Sequence, residues 1–234
     1  MSLRALRAFH KKLPGKQEED PIPMTRILLV RHGRTEWNKG QIFRGTVDIP
    51  LDEQGRKEAA CARDWLKAET FHAAYSSPLS RAVETAEIIL EPHGVPVVKH
   101  GGLTDLNYGE WQGKPNEEVE KLFPELVQQW REAPHTVVFP KGEGLADVRE
   151  RATKAAEEVV AKHPEETVLL AAHRVVNKVL IAALLGLDDS HFWEIGQDTA
   201  ALNEFVYQGG KWICRLVNDT CHLRELTDRV TADF

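Results

Sequence analysis

Two short apolar runs, each followed directly by a histidine, constrain the fold of this chain most. The segment ILLVRH ends at His32, and the segment VLLAAH ends at His173. Unbroken runs of leucine, isoleucine, valine and alanine are typical of strands that are buried on both faces of a parallel sheet. In such sheets, ligands bind at the carboxyl ends of the strands. We therefore expect the two histidines at one edge of one sheet, although they lie far apart in sequence.

Helical patterns separate these strands along most of the chain. Helices are predicted from DEQGRKEAACARDWLKAE, SRAVETAEIILEPHG, NEEVEKLFPELVQQWREA, LADVRERATKAAEEVVAKH and RVVNKVLIAALLGL, and further strands from FHAAYSS and VPVVKH. Near the end, NEFVYQGGKWICRLV predicts a hairpin that turns at Gly209 and Gly210. Alternating strands and helices predict an α/β fold, a three-layer α/β/α sandwich with a mainly parallel central sheet.

The length and composition are those of a globular protein with one sizeable domain. The chain has 234 residues, of which 42% are hydrophobic and 28% are charged. We assign the domain to residues 25–223, with an extension over residues 1–24 and a tail over residues 224–234. The extension begins with the basic segment LRALRAFHKKL, which could form a short amphipathic helix, but its polar, proline-containing composition favours a flexible leader. Met24 directly precedes the first strand and is a candidate native start.

Charge and cysteine usage exclude several classes of function. A net charge of -6 argues against nucleic-acid binding that rests on bulk charge. The three cysteines, Cys61, Cys214 and Cys221, show no CxxC spacing, so neither a disulfide framework nor a zinc site is favoured. No apolar run approaches the roughly 20 residues that cross a bilayer, and the amino terminus lacks the apolar stretch of a signal peptide. A cytoplasmic protein without nucleic-acid or membrane partners is expected, and the oligomeric state stays open.

Arginines beside these strand ends predict an anion site. Arg31 directly precedes His32, and the predicted strand AAYSS runs into SPLSRAVETAE, which places Arg81 near the start of the next helix. A surface ion pair with Glu84 is the alternative interpretation of Arg81. Guanidinium groups bind phosphate through two parallel hydrogen bonds, and backbone N–H groups at a helix start add to this. Asn38 could donate its amide to the same anion.

Taken together, these motifs resemble the histidine phosphatase, or phosphoglycerate mutase-like, superfamily. LVRHGRTEWN is similar to the signature of that family, and YSSPLSRAVETAE is similar to the segment that carries its second arginine. LTDLNYGEWQGK resembles the loop that carries its acid, VLLAAH the strand that carries its second histidine, and LVNDTCHL a common ending. The resemblance runs from about Met24 to about Leu223 and implies the fold of that family.

The resemblance also implies a role for each matching residue. His32 would be the nucleophile that becomes a phosphohistidine, and Asp105 would give a proton to the leaving oxygen. The residues that would surround the phosphate are Arg31, Asn38, Arg81 and His173, and further substrate contacts are predicted for Arg44, Thr46 and Arg174. Two arginines and a second imidazole provide positive charge without a metal, so no metal and no other cofactor is expected. Gly33 is expected to leave space beside the nucleophile and to adopt unusual backbone angles.

The sequence departs from the family pattern at three places, which affects the predicted roles of the residues there. Many members carry glutamate where this chain has Asp105. Because aspartate is shorter, either its loop moves inward or another group supplies the proton. Glu110 is the nearest substitute in the sequence, but we favour a structural partner for it. Arg174 stands where glycine is usual. The segment GEG at residues 142–144 replaces a common Gly-Glu-Ser, which removes a preferred helix cap and says little about chemistry.

The leading hypothesis for function is a phosphatase that acts on a small phosphate monoester. The span from Lys114 to Leu145 is short and resembles the phosphatase branch of the family. A cofactor-dependent phosphoglycerate mutase, which is an isomerase, is the alternative, and a non-catalytic module that binds a phosphorylated ligand is a third. Sugar phosphates, phosphoglycerate and a nucleoside monophosphate such as α-ribazole phosphate all stay open as substrates.

Overall fold

The computed structural model describes residues 23–226, which form one mixed sheet with helices on both faces. The predicted extension up to residue 22 and the predicted tail from residue 227 onward lie outside the described residues. The strands are β1 (Met24–Arg31), β2 (Ala73–Ser76), β3 (Val97–Lys99), β4 (Thr167–Ala172), β5 (Leu202–Gln208) and β6 (Lys211–Asp219). The α-helices are α1 (Glu36–Lys39), α2 (Glu53–Leu66), α3 (Ser80–Leu90), α4 (Asn116–Leu122), α5 (Pro124–Glu132), α6 (Leu145–Lys162) and α7 (Arg174–Leu184).

The sheet is mainly parallel, as the sequence predicts. Its strand order is β3-β2-β4-β1-β5-β6. The first four strands pair in parallel, and β5 pairs antiparallel with both β1 and β6. The predicted hairpin joins β5 to β6 through Gly209 and Gly210, whose φ angles of 57° and 77° are readily adopted by glycine. The helical connections therefore bring the carboxyl ends of β3, β2, β4 and β1 to one edge.

Strand β1 supplies both faces of the core, which makes the sheet the middle of three layers. Ile27 and Leu29 belong to a large apolar cluster with α6 and α7, whereas Leu28 and Val30 belong to a second cluster with α2 and α3. Successive side chains of a strand point to opposite faces, so an unbroken apolar run fits a strand covered on both sides. The three-layer α/β/α architecture is confirmed.

Two predicted elements differ from the observed ones. The single helix predicted over residues 116–133 is two helices, because Phe123 leaves helical geometry at φ -135° and ψ 51° and Pro124 starts α5. Proline lacks the N–H that a continuous helix needs, but it is favoured at the first helical position. Strand β3 is only three residues long. Across residues 23–226, every helix is too short or too polar to cross a bilayer.

Candidate active site

Four buried side chains meet at the carboxyl edge of the sheet. Each follows a different strand: His32 follows β1, His173 follows β4, Arg81 follows β2 at the start of α3, and Asp105 lies in the loop after β3. The two imidazole rings lie 5.2 Å apart between centroids. An Arg81 Nη2 atom lies 3.2 Å from Asp105 Oδ2. The expected convergence of these residues is therefore observed, and it arises because their strands are neighbours in the sheet.

His32 is held as a neutral imidazole with one unpaired nitrogen. Its Nδ1 lies 2.6 Å from the Gly33 carbonyl oxygen, which only accepts hydrogen bonds, so Nδ1 carries the proton. Its Nε2 is buried and has no hydrogen-bond partner in the described part of the chain. Burial, followed by the positive charges of nearby guanidiniums with Arg81 foremost, holds the pKa of His32 well below 6.5. The Nε2 lone pair is therefore available at neutral pH.

His173 and Asp105 face His32 from the neighbouring elements. His173 is fully buried at the amino end of α7, and its Nδ1 lies 3.7 Å from Asp105 Oδ2. Burial, and then the charge of Arg81, keeps the pKa of His173 well below 6.5. The other carboxylate oxygen of Asp105 accepts a hydrogen bond from the Leu106 backbone at 3.0 Å. The aspartate side chain, although shorter than glutamate, thus reaches Arg81 and His173.

Glu110, the substitute considered from sequence, does not lie in this cluster. Its carboxylate pairs with Lys141 Nζ at 2.7 Å on the surface. The expectation of a structural partner for Glu110 agrees with the structure, and Asp105 is the carboxylate that lies beside Arg81 and His173.

Backbone carbonyl groups anchor the guanidiniums of Arg31 and Arg81. Arg31 donates from Nη1 to the Gln197 carbonyl at 2.5 Å. Arg81 donates to the Gly45 and Val47 carbonyls at 2.7 and 2.9 Å. Burial lowers the pKa of Arg81 to about 10, and the Asp105 carboxylate partly offsets that effect. Such anchoring fixes each guanidinium before a substrate arrives.

The alternative interpretation of Arg81 as a surface residue is wrong. Arg81 is fully buried, and the carboxylate of Glu84 pairs instead with Arg56 at 2.5 Å.

A small cavity beside Asp105 gathers two more arginines. It has a volume of about 30 Å³, and its polar lining residues are Arg44, Asp105, Tyr108 and Arg174. The Arg174 guanidinium lies over the Trp193 ring, 5.5 Å from its centroid. Arg44 and Arg174 thus line the same cavity, and their substrate contacts stay predictions.

Asn38 and Thr46 each form hydrogen bonds with another residue of the protein. The Asn38 amide oxygen accepts from both the backbone N–H and the hydroxyl of Thr35, at 2.9 Å each, and closes the turn of α1. The backbone N–H and hydroxyl of Thr46 donate to the Gln112 amide oxygen at 2.7 and 2.9 Å. Thr46 is not among the residues that line the cavity beside Asp105. Substrate contacts of Asn38 and Thr46 stay predictions.

Gly33 is required by close packing and not by unusual backbone angles, contrary to part of the expectation. Its φ lies outside the left-handed region. A Cβ atom at Gly33 would lie 2.4 Å from the Gly55 carbonyl oxygen, and one at Gly55 would lie 2.1 Å from the Arg34 carbonyl oxygen. Helix α2 therefore packs its backbone directly against the loop that follows His32.

Several polar side chains that support the site carry no signal in the sequence. The Asn203 side chain donates to the Leu29 carbonyl at 3.0 Å and pairs with the Gln197 amide, so the segment that anchors Arg31 is tied to β1. The buried Glu58 carboxylate accepts from the Arg34 backbone N–H at 2.8 Å. Each pair joins residues that are distant in sequence, and only the folded arrangement brings them together.

The described residues contain no group of three or more histidine, cysteine or acidic side chains placed to hold a metal ion. Independence from metals stays a prediction, which metal removal can test.

Comparison with known proteins identifies the family. The model of the histidine phosphatase superfamily (branch 1) matches residues 27–220. The chain belongs to the histidine phosphatase superfamily. The predicted family, and with it the prediction of a histidine phosphatase-type enzyme, is confirmed.

Relatives within the superfamily include both phosphatases and mutases. The chain is 37% identical over 202 residues to phosphoserine phosphatase 1 of Hydrogenobacter thermophilus, with 86% of this chain and 96% of that protein covered. It is 38% identical over 170 residues to a 2,3-bisphosphoglycerate-dependent phosphoglycerate mutase of Bartonella quintana, with 69% of this chain and 82% of that protein covered. The solved structure of Bacillus stearothermophilus YhfR superposes with a TM-score of 0.82 at 32% identity, over 85% of this chain and 99% of that one.

Proposed function

We propose that this histidine phosphatase hydrolyses a small phosphate monoester through a phosphohistidine formed on His32. One observation carries the proposal: the buried, unpartnered Nε2 of His32 belongs to a neutral imidazole surrounded by fixed guanidinium groups. An imidazole nitrogen in that state is a nucleophile, and the guanidiniums match the charge of a phosphate dianion. Phosphatase relatives and the short segment of α4 and α5 support the same reading.

In the first step, His32 Nε2 attacks phosphorus and the bond from phosphorus to the leaving oxygen breaks. Arg31 and Arg81 bind the equatorial oxygens, where charge collects in phosphoryl transfer. Asp105 delivers its proton to the leaving oxygen, so the product departs as an alcohol.

In the second step, water attacks the phosphohistidine and releases orthophosphate. The Asp105 carboxylate takes a proton from that water, and the bond between phosphorus and Nε2 returns its electron pair to His32. The same carboxyl group therefore acts first as an acid and then as a base, and the enzyme returns to its starting state.

Isomerase activity is the second candidate, because the mutase relative from Bartonella quintana reaches 38% identity, close to the 37% of the phosphatase relative, although its match covers 69% of this chain and not 86%. A mutase passes the phosphoryl group from the histidine back to an organic acceptor, whereas a phosphatase passes it to water. Incubation with 3-phosphoglycerate and trace 2,3-bisphosphoglycerate distinguishes these outcomes. We expect free phosphate; 2-phosphoglycerate without phosphate release would support the mutase, and neither product would support a binding module.

Trapping of the covalent intermediate tests the proposal directly. Turnover quenched in alkaline detergent should leave a phosphoryl group on the protein that is stable in base and lost in acid. His32→Ala should abolish both this group and phosphate release, whereas the surface variant His191→Ala should keep both. Substantial turnover by a folded His32→Ala variant would contradict the assignment.

Removal of metals tests a separate part of the proposal. The charge at the site comes from arginines, so activity should survive exhaustive treatment with a chelator. Loss of activity that a divalent ion restores would show that a metal takes part.

A further inference from the structure

We propose that Arg151, together with Glu143, is a positioning residue that fixes the loop carrying Asp105 so that its proton reaches the leaving oxygen. This inference rests on the proposed function. Glu143 lies in the Gly-Glu-Gly segment, for which the sequence predicts no chemical role. Arg151 lies two turns further on, in α6.

The Arg151 guanidinium binds the backbone on both sides of the catalytic carboxyl group. It donates to the carbonyl oxygens of Gly102 at 3.0 Å and Asp105 at 3.1 Å, and also to the Thr104 carbonyl oxygen. A planar guanidinium presents its donors in a fixed arrangement, so one side chain can hold several carbonyl groups in register. A lysine in that place could not hold them with the same geometry.

Glu143 connects this guanidinium to the other side of the loop. Its carboxylate lies 3.3 Å from Arg151 Nε and 3.2 Å from Arg151 Nη2. The same carboxylate accepts from the Asn107 backbone N–H at 3.0 Å, and the Glu143 backbone N–H donates to the Asn107 carbonyl at 2.9 Å. The loop is thus tied down before and after Asp105.

Close packing gives this arrangement a rigid base. Helix α6 is anchored in the core by buried residues that include Val148 and Ala152. A Cβ atom at Gly102 would lie 2.7 Å from the Arg151 carbonyl oxygen, and one at Gly142 would lie 2.2 Å from the Asn107 carbonyl oxygen. The loop therefore rests directly on the backbone of α6 and of the segment before it.

These contacts matter most when the substrate is bound. The Asp105 side chain is held by the Leu106 backbone N–H and by Arg81. A bound phosphate competes for Arg81, and the carboxyl group then depends on the backbone for its position. Because proton transfer requires hydrogen-bond distance to the leaving oxygen, the carbonyl contacts of Arg151 decide whether Asp105 acts efficiently.

The test compares two substrates that differ in their need for a proton. An alkyl phosphate releases a strongly basic alkoxide, whereas p-nitrophenyl phosphate releases a weak base that can leave unprotonated. The ratio kcat/KM covers the steps up to departure of the leaving group. Arg151→Met should therefore lower kcat/KM for glycerol phosphate at least about tenfold more than for p-nitrophenyl phosphate, as partial loss of general acid catalysis predicts.

Three further variants separate positioning from general stability. Arg149→Met is the matched control, because Arg149 also lies in α6 and also binds a carboxylate and a backbone carbonyl, those of Asp189 and Leu187. It should leave the ratio between the two substrates unchanged. Glu143→Gln keeps an acceptor for Asn107 and should change the ratio in the same direction by a smaller factor. In an Asp105→Asn background, Arg151→Met should cause little additional change in that ratio.

Equal losses for both substrates, or additive effects of Arg151→Met and Asp105→Asn on the ratio, would overturn the positioning role. Glu143→Gln decides the question if Arg151→Met does not fold. Absence of phosphate release by the unmodified enzyme from either substrate would overturn the proposed function instead.

Discussion

The Asp105 carboxylate contacts the other buried side chains of the site although aspartate is one methylene shorter than glutamate. Many family members carry glutamate at this position, yet the Asp105 carboxylate lies 3.2 Å from Arg81 and 3.7 Å from His173. The loop therefore brings the aspartate carboxylate close to Arg81 and His173. The resemblance predicts Asp105 as the acid, but the sequence could not show this distance, because the distance depends on how the loop packs on α6.

Asp105→Asn should separate substrates by their leaving groups. The amide keeps the size of the side chain but cannot donate a proton as an acid. We expect kcat/KM for an alkyl phosphate to fall by about 10² to 10⁴ and to fall far less for p-nitrophenyl phosphate. Equal losses would assign Asp105 a positioning role, and Glu110→Gln would be the next variant to measure.

Arg174 predicts a preference for substrates with a second anionic group. It lines the same cavity as Arg44 and Asp105, and its guanidinium lies over Trp193. Arg174→Met keeps the aliphatic stem and removes the charge. We expect KM for 3-phosphoglycerate to rise by about 10- to 100-fold, which corresponds to one charged hydrogen bond, and KM for p-nitrophenyl phosphate to stay nearly constant. Parallel changes for both substrates would place the guanidinium outside the substrate site.

Helix α2 packs its backbone closely against the loop that follows His32. Its Gly55 lies against both Arg34 and Gly33, so the loop that follows His32 rests on helical backbone. Asp52 caps this helix by accepting from the Gly55 N–H at 2.7 Å, and its other oxygen accepts from Arg34 Nε at 2.8 Å. The start of α2 and the loop that follows His32 therefore form one packed unit.

Gly55→Ala should destabilise the protein although alanine favours helices. The added methyl group would lie 2.1 Å from the Arg34 carbonyl oxygen, so the helix or the loop must shift. We expect the free energy of unfolding to fall by about 1 to 3 kcal/mol and activity to fall as well. Gly101→Ala is the control, because nothing lies within 4 Å of a Cβ atom there. Equal stability of the two variants in denaturant titrations would contradict the packing argument.

The sequence predicts the elements well wherever hydrophobic periodicity decides them. The runs before His32 and His173 are buried strands, and the two Gly residues of the last hairpin are at its turn. Hydrophobic periodicity alone does not reveal the break at Phe123; its signal in the sequence is Pro124, which starts the second helix. Periodicity also could not find the contacts of Glu143 with the acid loop, since these join segments that only the packing of α6 brings together.

For the whole molecule, the buried histidines link stability to pH. His32 and His173 both have pKa values held well below 6.5 in the folded state, by burial and by neighbouring guanidinium charge. The unfolded chain takes up protons at these histidines as the pH falls below about 6.5, whereas the folded chain does not. Stability is therefore complete above that pH and is lost as the pH falls toward the folded pKa values.

Denaturant titrations at pH 7.5 and 5.5 can measure this effect. Each histidine contributes a slope of at most about 1.4 kcal/mol per pH unit. The wild type should therefore lose up to roughly 3 kcal/mol between these conditions through the two histidines. The double variant His32→Ala/His173→Ala should lose correspondingly less, because the other titrating groups are common to both proteins. The same loss in both proteins would show that these histidines do not control the pH dependence.

Orthophosphate resembles the phosphoryl group of any substrate and should compete for the same guanidiniums. Arg31 and Arg81 are buried at this site, and backbone carbonyl groups hold their guanidiniums in place. A dianion that occupies this site binds the folded state alone, and ligands of that kind raise the melting temperature as their concentration increases. The accumulating product would thus slow turnover and preserve the fold at the same time. Resistance to heat and catalytic speed would respond in opposite directions to the phosphate level around the enzyme.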